Sequence, residues 1–154
     1  MTYQMATTWK IKHFKELSTE ELYQIFNLRI AVFVVEQNCS YQDADWKDLD
    51  SFHLMGYDEI GGLTSYARIL PAGVSFKEVS IGRVITSLKV RRTGTGKGLM
   101  ENAFQFIAKQ FGNVSVRIGA QGYLTEFYST FGFEIASEEY IEDNIPHIEM
   151  LLVR

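Results

Sequence analysis

One short stretch combines glycines and cations in a way that suits the binding of phosphate. Residues 90–100 read VRRTGTGKGLM and run from an apolar segment into an amphipathic one. The stretch holds three glycines at alternate positions and three cations around them, namely Gly94, Gly96, Gly98, Arg91, Arg92 and Lys97. Glycine lets backbone N–H groups approach an anion closely, and the first N–H groups of a helix lack partners of their own. The stretch therefore predicts a phosphate cradle at a helix N-terminus, with a tight turn as the alternative.

The stretch does not match either of two common nucleotide-binding patterns, because individual residues differ. A P-loop requires glycine in place of Arg91 and serine or threonine in place of Gly98. A dinucleotide fingerprint that starts at Gly94 requires glycine in place of Leu99, and no acidic residue follows at the right strand end. Neither pattern accounts for the cradle.

Length and composition predict one domain over residues 1–154, because 46% of the residues are hydrophobic and only 2 are proline. The net charge of −4 argues against general affinity for nucleic acid or for acidic membranes. The single cysteine, Cys39, cannot form an internal disulfide, which suits a reducing compartment. The start of the chain shows neither a leader pattern nor an apolar run long enough for a membrane span, so we expect a cytoplasmic protein.

Hydrophobic periodicity predicts an α/β (α+β) domain with a mixed sheet. Alternation from Trp9 indicates a first strand, and Ser18 with Glu21 three residues later indicates a capping box at the start of a helix. Two apolar runs around DEIG predict a hairpin, and the following strand contains Gly82, which marks a bulge or the close approach of a ligand. A helix then runs to Gly112. The predicted order is β, α, three β, α, β, α, β, β.

Residues 38–50, NCSYQDADWKDLD, form a strongly acidic stretch. Its alternate acids resemble a calcium loop, but the glycine of the sharp turn and the closing glutamate are missing, so no metal site is predicted. Two interpretations stay open: a solvated acidic loop, or a substrate-facing loop in which Asp45 and its neighbours favour cationic groups.

The pattern that fits the cradle is R-x-x-G-x-G, with Arg91, Gly94 and Gly96 placed after a strand and at the opening of a helix. A strand and the sequence FYSTFGF follow. This combination resembles the GNAT family of acetyl-CoA-dependent N-acetyltransferases along nearly the whole chain. The first half, LRIAVFVVEQNCSYQDADWKDLDSFHL, is similar to the ElaA-type branch, with Ser40 where that branch commonly has proline. The resemblance implies the GNAT acyl-CoA N-acyltransferase fold: a mostly antiparallel central sheet with one splayed parallel pair of strands and flanking helices.

The resemblance also implies acetyl-CoA as co-substrate, with no metal. The pyrophosphate of acetyl-CoA would lie on the cradle, and the pantetheine arm of acetyl-CoA would pair with the strand that precedes the cradle. Gln121 stands where many members carry an asparagine that contacts the coenzyme. The expected coenzyme-binding residues are Val84, Ile85, Thr86, Arg91, Arg92, Thr93, Gly94, Thr95, Gly96, Lys97 and Gln121.

Acetyl transfer by direct attack needs a neutral amine and a proton for the departing thiolate. The usual acid of the family is a tyrosine four residues before the GF pair, which maps onto Tyr128; a core aromatic is the alternative. For the base, the residues leave Glu78, Glu36, His53 or a water chain open, and His53 is also a candidate substrate contact. Cys39 lacks the cationic setting of a nucleophile.

The function that follows is N-acetylation of a primary amine on a small cationic molecule, a protein or a peptide. The alternative is a binding module that senses acyl-CoA without turnover. A homodimer formed through apolar strands at the sheet edge also stays open.

Overall fold

The computed structural model describes residues 6–154, so residues 1–5, the start of the segment searched for a leader pattern, lie outside the described residues. Eight strands and three α-helices are present within this part of the chain. The strands are β1 Thr8–His13, β2 Phe52–Tyr57, β3 Leu63–Leu70, β4 Val79–Thr86, β5 Val116–Gln121, β6 Glu134–Ile135, β7 Tyr140–Glu142 and β8 Ile145–Leu152. The helices are α1 Thr19–Arg29, α2 Thr95–Phe111 and α3 Thr125–Ser129.

All eight strands form one mixed sheet. The strand order is β1-β2-β3-β4-β5-β8-β6, and β7 pairs with β8. Every pair is antiparallel apart from β4 and β5. The predicted fold class, a mostly antiparallel sheet with one parallel pair and flanking helices, is therefore confirmed.

Helix α1 begins at the predicted capping box. The Ser18 hydroxyl accepts a hydrogen bond from the N–H of Glu21 at 3.0 Å, and the Glu21 carboxylate accepts one from the N–H of Ser18 at 2.9 Å. A π-helical segment, Ile30–Glu36, continues α1 and leaves Ile30 and Val35 exposed. The apolar run is therefore only partly covered, because a helix turns only one face to the core.

The predicted irregularity at Gly82 is confirmed as a β-bulge. Arg68 of β3 pairs with Gly82, whereas Tyr66 pairs with Ile85, so β4 carries one residue more than β3 in this interval. Arg83, within the bulge, has a φ of 50°. A bulge bends its strand and increases the local twist, which turns the rest of β4 away from its other neighbour.

That other neighbour is β5, and the two strands separate soon after they meet. Their register contains two pairs, Val79 with Val116 and Ser80 with Arg117. Beyond them β4 stays paired with β3 as far as Thr86, and β5 stays paired with β8 as far as Gln121. The inner edges of both strands are therefore open along a widening gap.

Hydrophobic clusters cover the two faces of the sheet. Helix α2 buries Leu99 and Met100 against one face, together with Ile118 of β5, and Tyr128 of α3 belongs to the same cluster. Helix α1 buries Ile25 on the other face. Across residues 6–154, no helix combines the length and the apolar character needed to cross a membrane.

The acidic connection SEEYIEDNIP contains a strand that the sequence analysis did not predict. Strand β7 forms a hairpin with β8, and the turn between them consists of Asp143 and Asn144, with φ values of 50° and 63°. Two left-handed residues match the twist of a tight hairpin. Asp and Asn tolerate this conformation, so the turn forms without glycine.

Candidate active site

The gap between β4 and β5 opens into a cleft of about 1110 Å³. Residues Ile81 to Thr86 line one wall, and Ile118, Gly119 and Gln121 line the other. Main-chain N–H and C=O groups on these edges have no neighbouring strand, and such groups need hydrogen-bond partners. The cleft can therefore accept an extended ligand that hydrogen-bonds to the backbone, in the manner of an added strand.

The glycine loop follows β4, and its first residue, Arg91, lines the cleft. Gly94 adopts a φ of 85° and precedes the first turn of α2, whose leading N–H groups have no partner within the helix. A Cβ on Gly96 would lie 3.8 Å from Phe127 and 3.9 Å from Thr86, so this glycine lies between the end of β4 and α3. A Cβ on Gly98 would lie 3.3 Å from Trp9, on the core side. The loop therefore presents a helix N-terminus to the end of the cleft.

Arg91 ties this loop to two other segments. Its Nε donates to the carbonyl of Thr86 at 3.0 Å, and its guanidinium forms two hydrogen bonds with the carboxylate of Glu36, one of them 2.8 Å long. The hydrogen bonds from Arg91 lower the pKa of Glu36. Glu36, a candidate base, is thus held as the ion-pair partner of a residue predicted to bind the coenzyme.

The remaining loop side chains differ in whether they are exposed or held by hydrogen bonds within the loop. Arg92 and Lys97 are exposed, and Lys97 forms a weak ion pair with Glu101 at 3.9 Å. The Thr93 hydroxyl donates to the carbonyl of Val90 and lies 2.8 Å from the Thr95 hydroxyl. The two exposed cations are free to approach an anion at the helix N-terminus.

Tyr128 lies on α3 and lines the cleft. It is 6% exposed, and its ring packs against Phe127 and Phe133 with centroid distances of 5.2 and 6.1 Å. Among the described residues, no group hydrogen-bonds to its hydroxyl. Burial raises the pKa of Tyr128, so the phenol stays protonated at neutral pH. The cleft therefore contains a proton donor without a protein partner.

Residues 36–39 cross the cleft and contact its far side. The Gln121 amide Nε2 donates to Oε1 of Gln37 at 3.4 Å, while its own Oε1 is buried without a hydrogen-bond partner. The Cys39 thiol donates to the carbonyl of Asp143 at 3.1 Å. An unpartnered buried oxygen is costly, so the Gln121 amide fits a polar ligand that donates a hydrogen bond.

The acidic loop is bound to the sheet by an arginine–aspartate lattice of three cations and three anions, Arg29, Arg68, Arg83, Asp43, Asp45 and Asp48. Arg29 is fully buried, and it donates to Asp43 at 2.8 Å and to Asp48 at 2.6 Å. Arg68 donates to Asp45 at 2.7 and 2.9 Å and to Asp48 at 3.0 Å. Arg83, at the bulge, donates to Asp43 at 2.8 Å. The lattice as a whole carries no net formal charge.

The lattice changes the interpretation of the acidic loop. Two of the four acids of the loop are not solvated, because Asp43 and Asp48 are 6% and 4% exposed, whereas Asp50 is exposed. Asp45 lines the cleft. Burial by itself raises its pKa, but the hydrogen bonds and charge of Arg68, with the charge of Arg83, outweigh burial and lower the pKa to about 2. Its negative charge is therefore matched within the protein, and attraction of a cationic substrate by Asp45 stays a prediction.

The other two candidate residues lie away from the cleft lining. His53 is fully buried, donates from Nε2 to the carbonyl of Asp48 at 3.0 Å, and accepts the Tyr66 hydroxyl at Nδ1 at 2.6 Å. Burial lowers its pKa. Glu78 accepts from Arg117 at 2.8 Å, and this hydrogen bond lowers the pKa of the carboxyl. Neither side chain lines the cleft.

Several residues of the cleft were missed by the sequence analysis. The arginines carried a usable signal, because Arg68, which is buried, and Arg83, which is half-buried, lie within apolar strands, and a charge removed from water requires a partner. His147 lines the cleft from β8, and the alternation of that strand places it on the same face as Glu149. Nothing in the sequence indicated that this face borders the cleft. Among residues 6–154, no group of three or more His, Cys, Asp or Glu side chains could hold a metal ion.

Comparison with known proteins agrees with this geometry. The profile of the acetyltransferase (GNAT) domain matches residues 31–154. The chain is 44% identical to ElaA of Escherichia coli K12 over 146 residues, 92% of this chain and 94% of ElaA. The crystal structure of Escherichia coli ElaA superposes with a TM-score of 0.88 at 42% identity, covering 95% of this chain and 99% of ElaA.

Two further structures share the fold. An acyl-CoA N-acyltransferase from Pseudomonas aeruginosa has a TM-score of 0.89 at 40% identity and covers 95% of this chain and 99% of its own. An aminoglycoside 6′-N-acetyltransferase complexed with coenzyme A has a TM-score of 0.70 at 14% identity. The superposition covers 94% of this chain and 96% of the acetyltransferase. At that identity the likeness concerns the fold alone.

Proposed function

Because the chain belongs to the GNAT acetyltransferase family and is therefore an acyltransferase, we propose that it transfers the acetyl group of acetyl-CoA to a primary amine. The amine attacks directly, with donor and acceptor bound together. The observation that carries this proposal is the separation of β4 from β5 after two residue pairs, which opens the cleft between the glycine loop and Tyr128.

The cleft offers groups that fit coenzyme A. The N-terminus of α2 and the exposed Arg92 and Lys97 suit the phosphates, because backbone N–H groups and cations both favour an anion there. The open edge of β4 at Val84 to Thr86 suits the amides of the pantetheine arm, and Gln121 offers an unpartnered oxygen beside it. The aminoglycoside acetyltransferase that shares the fold was solved with coenzyme A.

Tyr128 acts as the general acid in this proposal. Acetyl-CoA supplies an acetyl group already activated as a thioester, so no covalent protein intermediate is needed. The Tyr128 hydroxyl, protonated and without a protein partner, gives its proton to the sulfur as the carbon–sulfur bond breaks. A donor buried in the cleft is most effective where water is excluded.

The acceptor is a small molecule or a peptide that carries a primary amine. The arginine–aspartate lattice is neutral, so a preference for cationic acceptors rests on a carboxylate beyond it, Glu142, which also lines the cleft. Homodimerisation through the edge strand β6, where Ile135 is exposed, stays a prediction.

The test is the release of free thiol from acetyl-CoA in the presence of a panel of amines. The panel contains a polyamine, an aminoglycoside, lysine and a peptide with a free N-terminus, and longer acyl-CoA thioesters are compared with acetyl-CoA. We expect thiol release that depends on one class of amine. Stabilisation of the protein by coenzyme A without thiol release for any amine would instead indicate a binding module.

A further inference from the structure

Strands β5, β7 and β8 present a set of polar side chains on the sheet face opposite α2 and α3. The register pairs His147 with Gln121 on one side and with Tyr140 on the other. All three residues line the cleft, as does Glu149 two positions further along β8. The neighbouring Met150 points to the opposite face, where it packs in the same cluster as Tyr128. The cleft is thus bordered by Tyr128 on one face of the sheet and by His147 on the other.

The imidazole of His147 is held in one tautomer. Nδ1 lies 2.7 Å from the carbonyl oxygen of Ile145, and because a carbonyl can only accept, Nδ1 carries the proton. Nε2 of the neutral ring therefore keeps its lone pair. The ring stacks on Tyr140 with a centroid distance of 5.9 Å and an interplanar angle of 23°. The side chain is consequently fixed in position, and among the described residues Nε2 makes no hydrogen bond, with Oε2 of Glu142 3.8 Å away.

The other candidate bases are occupied. Glu36 is bound to Arg91, Glu78 is bound to Arg117, and His53 uses both ring nitrogens inside the core. Glu149 lines the same face, but its carboxylate lies 3.4 Å from Arg117. A base that removes a proton must reach it and must be free to accept it.

We propose that His147 is the general base of the transfer reaction. This inference rests on the proposed function. The amine nitrogen forms a bond to the thioester carbon and the carbon–sulfur bond breaks. The proton lost by the amine goes to Nε2 of His147, and the thiolate receives its proton from Tyr128. The products are an amide and free coenzyme A, after which His147 and Tyr128 exchange protons with solvent.

The placement of the two groups matches the geometry of direct attack. The base must lie on the side from which the amine approaches, whereas the acid must lie beside the sulfur. Tyr128 and His147 line the same cleft from opposite faces of the sheet, an arrangement compatible with both requirements. The charged and titratable groups around His147 are Glu142, whose Oε2 lies 3.8 Å from Nε2, Glu149 on its own strand, Tyr140 on β7 and Asp143 in the turn.

The experiment compares His147→Gln with His13→Gln, a matched substitution on β1 away from the cleft. With an amine that the wild type accepts, kcat/KM of H147Q, calculated per neutral amine, should fall by about 100-fold or more. H13Q should match the wild type. Thermal stabilisation by coenzyme A should be equal in all three proteins.

A second readout needs no turnover. A long-range ¹H–¹⁵N spectrum of the free wild-type protein should show His147 with a protonated Nδ1 and an unprotonated Nε2 at pH 8. The chain has only 3 histidines, so the two variants assign the signals. The opposite tautomer would overturn the inference even if H147Q failed to fold.

The outcomes separate the two proposals. An H147Q protein with wild-type kcat/KM overturns the role of His147 and leaves the acetyltransferase intact. A wild-type protein that binds coenzyme A but releases no thiol with any amine overturns the proposed function, and the role of His147 falls with it.

Discussion

Replacement of Gly94 by alanine tests whether the glycine loop binds the coenzyme, because the substitution adds backbone strain without a steric clash. Gly94 has a φ of 85°, and a Cβ there would meet no heavy atom within 4 Å. Gly61, in the β2–β3 hairpin, has a φ of 86° and equally open surroundings. Alanine at either position therefore meets no clash, and its cost is the left-handed backbone alone, about 1–2 kcal/mol.

The same strain should appear in different measurements for the two variants. For G61A, the free energy of unfolding should fall by the whole amount, a drop in Tm of about 2–8 °C. Gly94 is exposed and a Cβ there meets no neighbouring atom, so in G94A the backbone at this position should relax in the free protein. Coenzyme binding must then restore the strained loop, which weakens affinity by about 5- to 30-fold.

Urea unfolding and calorimetric titration with coenzyme A measure the two quantities. For G94A, the decrease in unfolding free energy plus the decrease in binding free energy for coenzyme A should equal the decrease in unfolding free energy of G61A. G61A should bind coenzyme A with the affinity of the wild type. A G94A protein with unchanged coenzyme affinity would refute the assignment of the loop to the coenzyme site.

Three further substitutions test other parts of the account. Tyr128→Phe should reduce kcat by about 100-fold or more while the Kd for coenzyme A stays the same, as measured by thiol release and titration calorimetry; equal turnover would remove the acid role. Asp45→Asn should destabilise the protein by about 2 kcal/mol at pH 7, because the pKa of Asp45 lies at about 2 instead of 3.8. That contribution is present above pH 3.8 and is lost as the pH falls towards 2, so urea unfolding should show the variant and the wild type converging there. Arg29→Met should cost about 3–5 kcal/mol in urea unfolding, because Asp43 and Asp48 would stay buried with one cation fewer each, Arg83 and Arg68 respectively remaining; a loss below about 1 kcal/mol would contradict the lattice.

Features that depend on neighbouring residues could be predicted from the sequence. The Ser18 capping box, the bulge at Gly82 and the end of α2 at Gly112 each reflect backbone chemistry within a few residues. The glycine loop was predicted as a phosphate cradle from its own residues and Tyr128 from a family resemblance, and Arg91 of the loop and Tyr128 line one cleft. Strand β7 was not predicted, because its turn consists of Asp143 and Asn144 rather than glycine.

Contacts between distant parts of the chain could not be predicted in the same way. Arg83 and Asp43 are 40 residues apart, and Arg91 and Glu36 are 55 residues apart. Residue types show that such charges need partners, but only the sheet register decides which ones meet. The availability of His147 likewise depends on which face of β8 borders the gap beside β4.

The central claim, direct transfer from acetyl-CoA to an amine, is tested most directly by following a labelled acetyl group. The wild-type protein is incubated with acetyl-labelled acetyl-CoA and an accepted amine, and thiol, labelled amide, free acetate and labelled protein are quantified together. The account predicts one labelled amide for each thiol released and no label on the protein. Label on the protein, or thiol released with free acetate in place of amide, would contradict it.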